Sequence, residues 1–305
     1  MNRTLSALLV AITIGFAGQG RAAEKIKVVT TIPDLADMTR QIGAELVDVT
    51  SICTGVEDIH SVPMRPSFAA VLNQADLLVL MGFDGEHAFL PGLLEAASNS
   101  KILPGAPGYV DCSLYVRPLQ VPTRIDRALG DIHPQGNHHF NLDPGEGKDM
   151  VRAIADGLSR NFPEHEAAFR KNEAAYLAKL DAAIARWDQE AAPLRGKKVV
   201  SYHSGMFYLA DRYGMQSFGT IEPYPGVDPT PAHTAELIER MQQAKVDFVV
   251  REVGYPVELA KTIADRTGAK LVEIPLMVHG VPDATDYISF IDYNMRTLIA
   301  AAHGP

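Results

Sequence analysis

The chain has 305 residues, of which 47% are hydrophobic and 21% charged, a composition typical of a folded globular protein rather than a disordered one. Because this length exceeds the usual size of a single core, we expect two lobes. The formal net charge is -9, and no cluster of Lys and Arg offers a surface for phosphates, which argues against nucleic acid as a partner.

The N-terminus has the features of a targeting segment. Arg3 gives it a positive start, a mostly apolar run extends from Leu5 to Ala17, and Gly20-Arg21-Ala22 ends in small residues suited to signal peptidase. The run is too short for a stable bilayer anchor, and no Cys that could carry a lipid follows the cleavage site. We therefore expect residues 1–22 to be a cleaved signal peptide and the mature chain to be periplasmic.

An α/β pattern follows the targeting segment. Three apolar runs predict strands, at residues 26–31, 46–52 and 77–81. The helix between the first two is expected to end at Gly43 in the left-handed conformation. Since short apolar strands separated by helices are typical of a parallel sheet covered on both faces, residues 23–145 predict an N-terminal α/β lobe.

The longest helical pattern connects this lobe to a second one. It begins at Pro163 and stops at Pro193, with its apolar residues on one narrow face. At 1.5 Å per residue the helix would be roughly 40 Å long, enough to cross from one lobe to the other. Strands then recur at 198–202, 246–250 and 270–274, with helices between and after them. We therefore expect linking helices over residues 146–195, a second parallel α/β lobe over residues 196–305, and one long rigid helix joining the lobes.

Histidines follow several of the predicted strands. His60, His203 and His279 each come after such a strand, and the pair His138-His139 lies at the crossover between the lobes. Open parallel sheets bind ligands beyond the carboxyl ends of their strands, so imidazoles from both lobes are expected to converge in the cleft. Four nitrogen donors around a tetrahedral ion are typical of zinc.

Several ordered motifs carry a family resemblance. They are Glu57-Asp58-Ile59-His60 followed by Pro66-Ser67, the run from Asn137 to Pro144, Tyr202-His203-Ser204-Gly205 leading to Tyr213-Gly214, the run from Pro225 to Pro231, and Tyr287 through Asn294. In this order and spacing they resemble the substrate-binding proteins of zinc and manganese ABC importers, the ZnuA, TroA and AztC-like group, over essentially the whole mature chain. The resemblance implies two α/β lobes that capture a metal ion without catalysis and deliver it to an ABC permease in the inner membrane.

The same resemblance implies a set of ligands. The family's first ligand falls on His60, the second on His139 and the third on His203. His138 stands where these proteins usually have Pro and is the alternative to His139. At the fourth position, where the family commonly has Asp, this chain has His279.

The sequence allows more than one role for each carboxylate near the expected site. Asp283 or Asp286 is the alternative to His279 as a fourth ligand. A dication held by neutral imidazoles alone keeps its full charge, which Glu222 or Asp143 could offset from behind the ligands. The interpretation that we prefer for both is a loop or turn carboxylate bonded to backbone.

Zinc is the expected transported ion. The alternatives are another ion at the same site or another function of a zinc-binding protein. Copper binds nitrogen donors more tightly, and manganese-type relatives tend to have Glu in place of His203. A periplasmic zinc buffer or chaperone would have the same site, whereas a zinc hydrolase would need an open position and a general base. We expect a monomer that a periplasmic metallochaperone could load. His133 could hold the zinc ion transiently during loading, or it is a solvated loop residue. Zinc affinity should fall as the pH drops through about 6.5.

Cys53 and Cys112 are the two cysteines of the chain. In an oxidising compartment they predict a disulfide bond, with two buried free thiols as the alternative. Zinc ligation is a weaker third interpretation, because neither shows the Cys-x-x-Cys spacing of a structural zinc site.

Overall fold

The computed structural model describes residues 24–124, 130 and 133–303. The predicted targeting segment 1–22 lies outside them. The first part of the described chain contains β1 (Ile26–Thr30), α1 (Pro33–Gly43), β2 (Val47–Ser51), α2 (Pro66–Gln74), β3 (Leu77–Leu80), α3 (Leu90–Ala97) and β4 (Tyr109–Asp111). The long helices α4 (Pro144–Asn161) and α5 (Glu166–Glu190) follow. The second part contains β5 (Lys198–Ser201), α6 (Phe207–Tyr213), β6 (Gln216–Thr220), α7 (Pro231–Ala244), β7 (Phe248–Glu252), α8 (Val257–Thr267), β8 (Lys270–Ile274) and α9 (Tyr287–His303).

The strands form two parallel sheets of four strands, one in each lobe. Their orders are β2-β1-β3-β4 and β6-β5-β7-β8, so the second lobe repeats the topology of the first. Helices cover both sheets, which confirms the predicted two-lobe α/β class. In such sheets the carboxyl ends of the central strands flank the point where the chain reverses its direction of winding, which is where ligands bind.

The long helix α5 confirms the strongest helical pattern of the sequence. It has 25 residues and follows a short 3-10 turn at Pro163–His165. At 1.5 Å per residue it is roughly 38 Å long. It packs on α1 and α4 and also on α9, so it contacts elements from both ends of the chain. Among the described residues, no helix combines the length and apolarity needed to cross a membrane.

Local structure differs from expectation at the end of α1 and at edge strands of both sheets. The prediction for Gly43 is wrong, because Gly43 has φ -81° and the following Ala44 takes φ +46°. The edge strands β4 and β6 were not predicted. The sequence of β6, Gln216–Thr220, has one large apolar residue, and its register on β5 shifts between Val199 and Val200.

The hydrophobic core follows the alternation of the strands. One cluster runs from the first sheet through α4 and α5 to one face of the second sheet, where it includes Val199 and Phe248. The other face of that sheet, including Val200 and Val249, packs with α7 and α8 in a separate cluster. Because successive side chains of a strand point to opposite faces, β5 and β7 contribute to both clusters.

The lobes touch through bare backbone at one point. Gly55 has φ +118°, and a Cβ there would collide with the carbonyl oxygen of Val278. From the other side, a Cβ on Gly280 would lie 3.0 Å from the carbonyl oxygen of Gly55. Glycine is needed at Gly55 both for its positive φ and for this close approach.

The predicted disulfide between Cys53 and Cys112 is not formed. Both residues are buried free thiols. Cys53 follows β2 and Cys112 follows β4, which are the two edges of the first sheet. Because neighbouring strands lie about 4.8 Å apart, strands with two others between them are separated by roughly 14 Å, beyond the reach of a disulfide.

A buried carboxyl group at the end of the first sheet makes stability depend on pH. Glu86 is 3% exposed and accepts hydrogen bonds from the Thr31 hydroxyl and from the backbone N–H groups of Met81 and Gly82. Burial raises the pKa of Glu86 from 4.5 to about 7. The folded state holds this proton more tightly than the unfolded state, so the protonated side chain adds roughly 3 kcal/mol to the free energy of unfolding below about pH 4.5. This stabilisation is lost as the pH rises towards about 7.

We therefore expect Glu86→Gln to flatten the pH dependence of the free energy of unfolding between about pH 5 and pH 7. Urea denaturation of the metal-free protein at several pH values measures this slope separately from any uniform loss of stability. A variant with the wild-type slope would contradict the assignment.

Candidate metal centre

Three of the four predicted ligands come together between the lobes. His60, His139 and His203 each place a ring nitrogen within 4.8 Å of the other two. The Nε2 atoms of His139 and His203 lie 3.1 Å apart. A tetrahedral zinc ion with bonds of about 2.0–2.1 Å separates two ligating nitrogens by about 3.3 Å, so this pair lies close to ligating geometry.

A carboxylate fixes the tautomer of His203. Glu222 Oε2 lies 2.8 Å from His203 Nδ1, and because a carboxylate accepts, Nδ1 donates and carries the proton. The lone pair is then on Nε2, which faces His139. The Tyr255 ring stacks on the imidazole at a centroid distance of 5.2 Å and limits its rotation. Glu222 thus lies behind a predicted ligand, which was the less favoured of its two interpretations.

The backbone at His203 is held by the end of a neighbouring strand. His203 follows β5, and its N–H donates to Glu252 Oε2 on β7, at 3.2 Å. Tyr202 N–H donates to the same oxygen at 3.0 Å. Burial raises the pKa of Glu252 to about 7. The side chain therefore ties the carboxyl ends of two adjacent strands together directly beneath the imidazole.

The loop that carries His139 is attached to both lobes. The N–H of His139 donates to Asn137 Oδ1, and Asn137 Nδ2 donates to the carbonyl oxygen of Ser204 at 2.8 Å. Asn141 Nδ2 donates to Asp34 Oδ1 on α1 and to the carbonyl oxygen of Leu276. His139 is thus placed by contacts from distant parts of the chain.

His60 approaches from the first lobe. It lies in a short 3-10 turn, Ile59–Ser61, and its N–H donates to Asp58 Oδ1 at 2.9 Å. Its ring centroid is 5.7 Å from that of His203. The turn projects the imidazole across the cleft towards the second lobe.

The structure does not bring His279 to these three residues. His279 is exposed, has φ +65°, and donates its N–H to the carbonyl oxygen of Ala284. Asp283 is also exposed, and Asp286 accepts from the Ser289 N–H at the start of α9. Among the described residues, the group brought together here is therefore three histidines, and His279, Asp283 and Asp286 lie outside it.

Asp143 has the backbone-bonded structural role that was its preferred interpretation. Its Oδ1 accepts from the Gly145 N–H at 2.7 Å and caps α4. Arg212 forms an ion pair with it. Through these contacts Asp143 stabilises the N-terminus of α4, the helix that follows the His139 loop.

Burial keeps the His139 imidazole neutral. It lowers the pKa of His139 well below 6.5, and neighbouring histidines lower it further. A proton and a metal ion compete for the same lone pair. For His139, proton competition therefore begins at a lower pH than the expected 6.5.

More imidazoles surround this group than sequence reasoning assigned to it. The His138 ring lies 4.0 Å from that of His139, and the His133 ring lies 5.2 Å from that of His60. The exposed His87 is also nearby, with its ring centroid 5.9 Å from that of His60. The signal available in the sequence was the spacing of His133 and His138 in one loop.

The chain is similar to known metal-uptake proteins. A family model described as zinc-uptake complex component A, periplasmic, matches residues 28–301. The zinc-binding lipoprotein AdcA of Streptococcus pneumoniae (strain TIGR4) is 25% identical over 305 residues, which cover 96% of this chain and 59% of that protein. The chain thus spans somewhat more than half the length of this relative.

Two further comparisons extend over both lobes. The manganese ABC transporter substrate-binding lipoprotein PsaA of Streptococcus pneumoniae is 25% identical over 311 residues, covering 96% of each chain. A crystal structure of ZnuA matches with a TM-score of 0.76 at 23% identity, covering 92% of this chain and 100% of that chain. The structural likeness shows that the two-lobe fold is shared.

Proposed function

Because the chain belongs to the family of zinc-uptake complex component A, periplasmic, we propose that it captures Zn²⁺ between its lobes and delivers the ion to an ABC permease of the inner membrane. In this proposal it acts as a periplasmic monomer after its N-terminal signal has been cleaved. It binds the ion and performs no chemistry on it.

The approach of two ring nitrogens to 3.1 Å carries the proposal. With His60, these nitrogens form a donor set made only of imidazoles. Manganese prefers carboxylate, carbonyl and water oxygens, whereas imidazole suits zinc and copper. The donor set therefore favours zinc over manganese, although relatives of both kinds exist.

Three protein ligands suit an ion that must later be released. A tetrahedral ion held by His60, His139 and His203 keeps one position for an outside ligand, as in zinc sites that exchange ligands. The Glu222 carboxylate behind His203 offsets part of the ion's charge. The site can thus bind firmly and still pass the ion on by ligand exchange.

Uptake of radioactive zinc tests this function. Cells that lack the chain should take up less zinc under chelation, and the wild-type gene should restore uptake where a His139→Ala/His203→Ala gene does not. Competitive titration of the purified metal-free protein should show one tight zinc site that manganese does not displace. Normal zinc uptake without the chain would contradict delivery, and preference for manganese would contradict the assigned ion.

The hydrogen bond from Glu222 predicts a measurable part of the affinity. Glu222→Ala is expected to weaken zinc binding by roughly 10- to 100-fold, because His203 loses the acceptor that fixes its tautomer and supports its basicity. Glu236→Ala, an exposed substitution on α7, is the matched control and should leave the affinity unchanged. Equal zinc affinity in the two variants would remove Glu222 from the site.

A further inference from the structure

A second group of imidazoles lies beside the first and shares one member with it. His60, His133 and His138 each place a ring nitrogen within 4.8 Å of the other two. The His138 ring centroid lies 4.5 Å from that of His133 and 4.9 Å from that of His60. The two groups therefore meet at His60.

His138 independently indicates that this second group binds a ligand. Its side chain is buried, at 3% exposure, and within the part of the chain that the structure describes neither ring nitrogen has a hydrogen-bond partner. Leaving a buried polar atom unpaired costs about 1–3 kcal/mol. The rings around it are other imidazoles, and a divalent cation is a partner that several imidazole lone pairs can share.

The backbone makes room for this buried ring. A Cβ on Gly85 would lie 3.0 Å from the ring carbons of His138, tighter than ordinary packing. The main chain of Gly85 thus lies directly against the imidazole, as expected where a side chain is held in a fixed orientation.

We propose that His60, His133 and His138 form a second Zn²⁺ position that excludes occupation of the first. This inference rests on the proposed function. A neutral imidazole has one lone pair, so His60 ligates one ion at a time. Two dications a few ångströms apart also repel each other. The protein therefore holds one ion, at either of two adjacent positions.

The two positions share one ligand and differ in the other two. The ligating atoms of both are buried: His139 and His203 are 5% and 1% exposed, and the ring nitrogens of His133 and His138 are enclosed as well. An ion moves between the positions by exchanging His133 and His138 for His139 and His203 while it remains bound to His60. His60 is thus the ligand common to both positions.

A variant that lacks His139 and His203 tests the second position without the first. Metal-free His139→Ala/His203→Ala should still bind one Zn²⁺ or Co²⁺ per chain, roughly 1000-fold more weakly than the wild type. It loses the two nitrogens that lie closest to ligating geometry and the imidazole that Glu222 supports. Adding His138→Ala should abolish this residual binding. Calorimetric titration gives stoichiometry and affinity, and the visible bands of bound Co²⁺ report the change of ligands. His87→Ala, whose exposed ring lies outside both groups, is the control and should match the wild type.

Each outcome bears on one proposal. Two ions bound together by the wild type would overturn the exclusion, and no binding by the double variant beside a wild type that binds one ion would overturn the second position alone. A wild type that binds no zinc would instead overturn the proposed function. If circular dichroism shows that the Ala double variant is unfolded, His139→Gln/His203→Gln replaces it, because Gln keeps more of the side-chain volume.

Discussion

Zinc binding is expected to weaken roughly 1000-fold when His203 is replaced by Ala. Structural zinc sites gain about 10–16 kcal/mol from four ligands, so one ligand is worth roughly 3–4 kcal/mol, or two to three powers of ten. The orientation of the His203 ring is fixed by a hydrogen bond to Glu222 and by stacking on Tyr255. The binding that remains is that of the second position, formed by His60, His133 and His138.

Competitive titration with a chromophoric chelator measures this loss, and His279→Ala gives the decisive comparison. Because His279 is exposed and stands apart from the three-histidine group, its loss should change the zinc affinity by less than about threefold. A severe loss in His279→Ala would restore the four-histidine site expected from the sequence. A loss below about tenfold in His203→Ala would contradict the three-histidine site.

The second large effect is expected at Trp187. This residue is fully buried on α5, and its indole N–H donates to Asp292 Oδ1 on α9 at 3.1 Å. Trp187→Ala should lower the free energy of unfolding by about 3–5 kcal/mol, because it leaves a cavity where the long helix meets the last helix. Trp187→Phe keeps most of the ring and should cost about 1–2 kcal/mol through the lost hydrogen bond.

Far-UV circular dichroism in urea measures both variants, since Trp187 is the single tryptophan and its own fluorescence is lost with it. Because one hydrophobic cluster extends over α5 and both sheets, the wild type and Trp187→Phe should unfold in one transition. A loss under about 1 kcal/mol in Trp187→Ala would show that α5 and α9 are not packed through this side chain.

The elements predicted from sequence are those whose signal is local. The strands at 26–31 and 77–81 were found because both faces of a central parallel strand are buried, which requires an unbroken apolar run. Placing His60 and His203 at one site needed only the rule that ligands bind beyond the carboxyl ends of such strands. The short edge strands β4 and β6 were missed, because an edge strand of three to five residues has too few buried positions to show a pattern.

The rest of the site depends on contacts between distant segments. The path of the His138 loop is set by Asn137, which bonds Gln120 and Ser204, and no periodicity records such contacts. His279 is turned outward by a left-handed backbone conformation and a bond to Ala284. The pairing of His203 with Glu222 spans 19 residues, with α6 and β6 between them, so sequence alone could suggest a nearby carboxylate without identifying its partner.

The contact of Gly55 with Gly280 limits how closely the two lobes can approach each other at this point. Because main chain meets main chain there, the spacing of the lobes at this contact does not depend on the size of a side chain. Substitutions around the metal can therefore retune which ion is preferred while the distance of closest approach stays the same. Selectivity and closure are thus separable properties in this fold, free to drift independently over evolution.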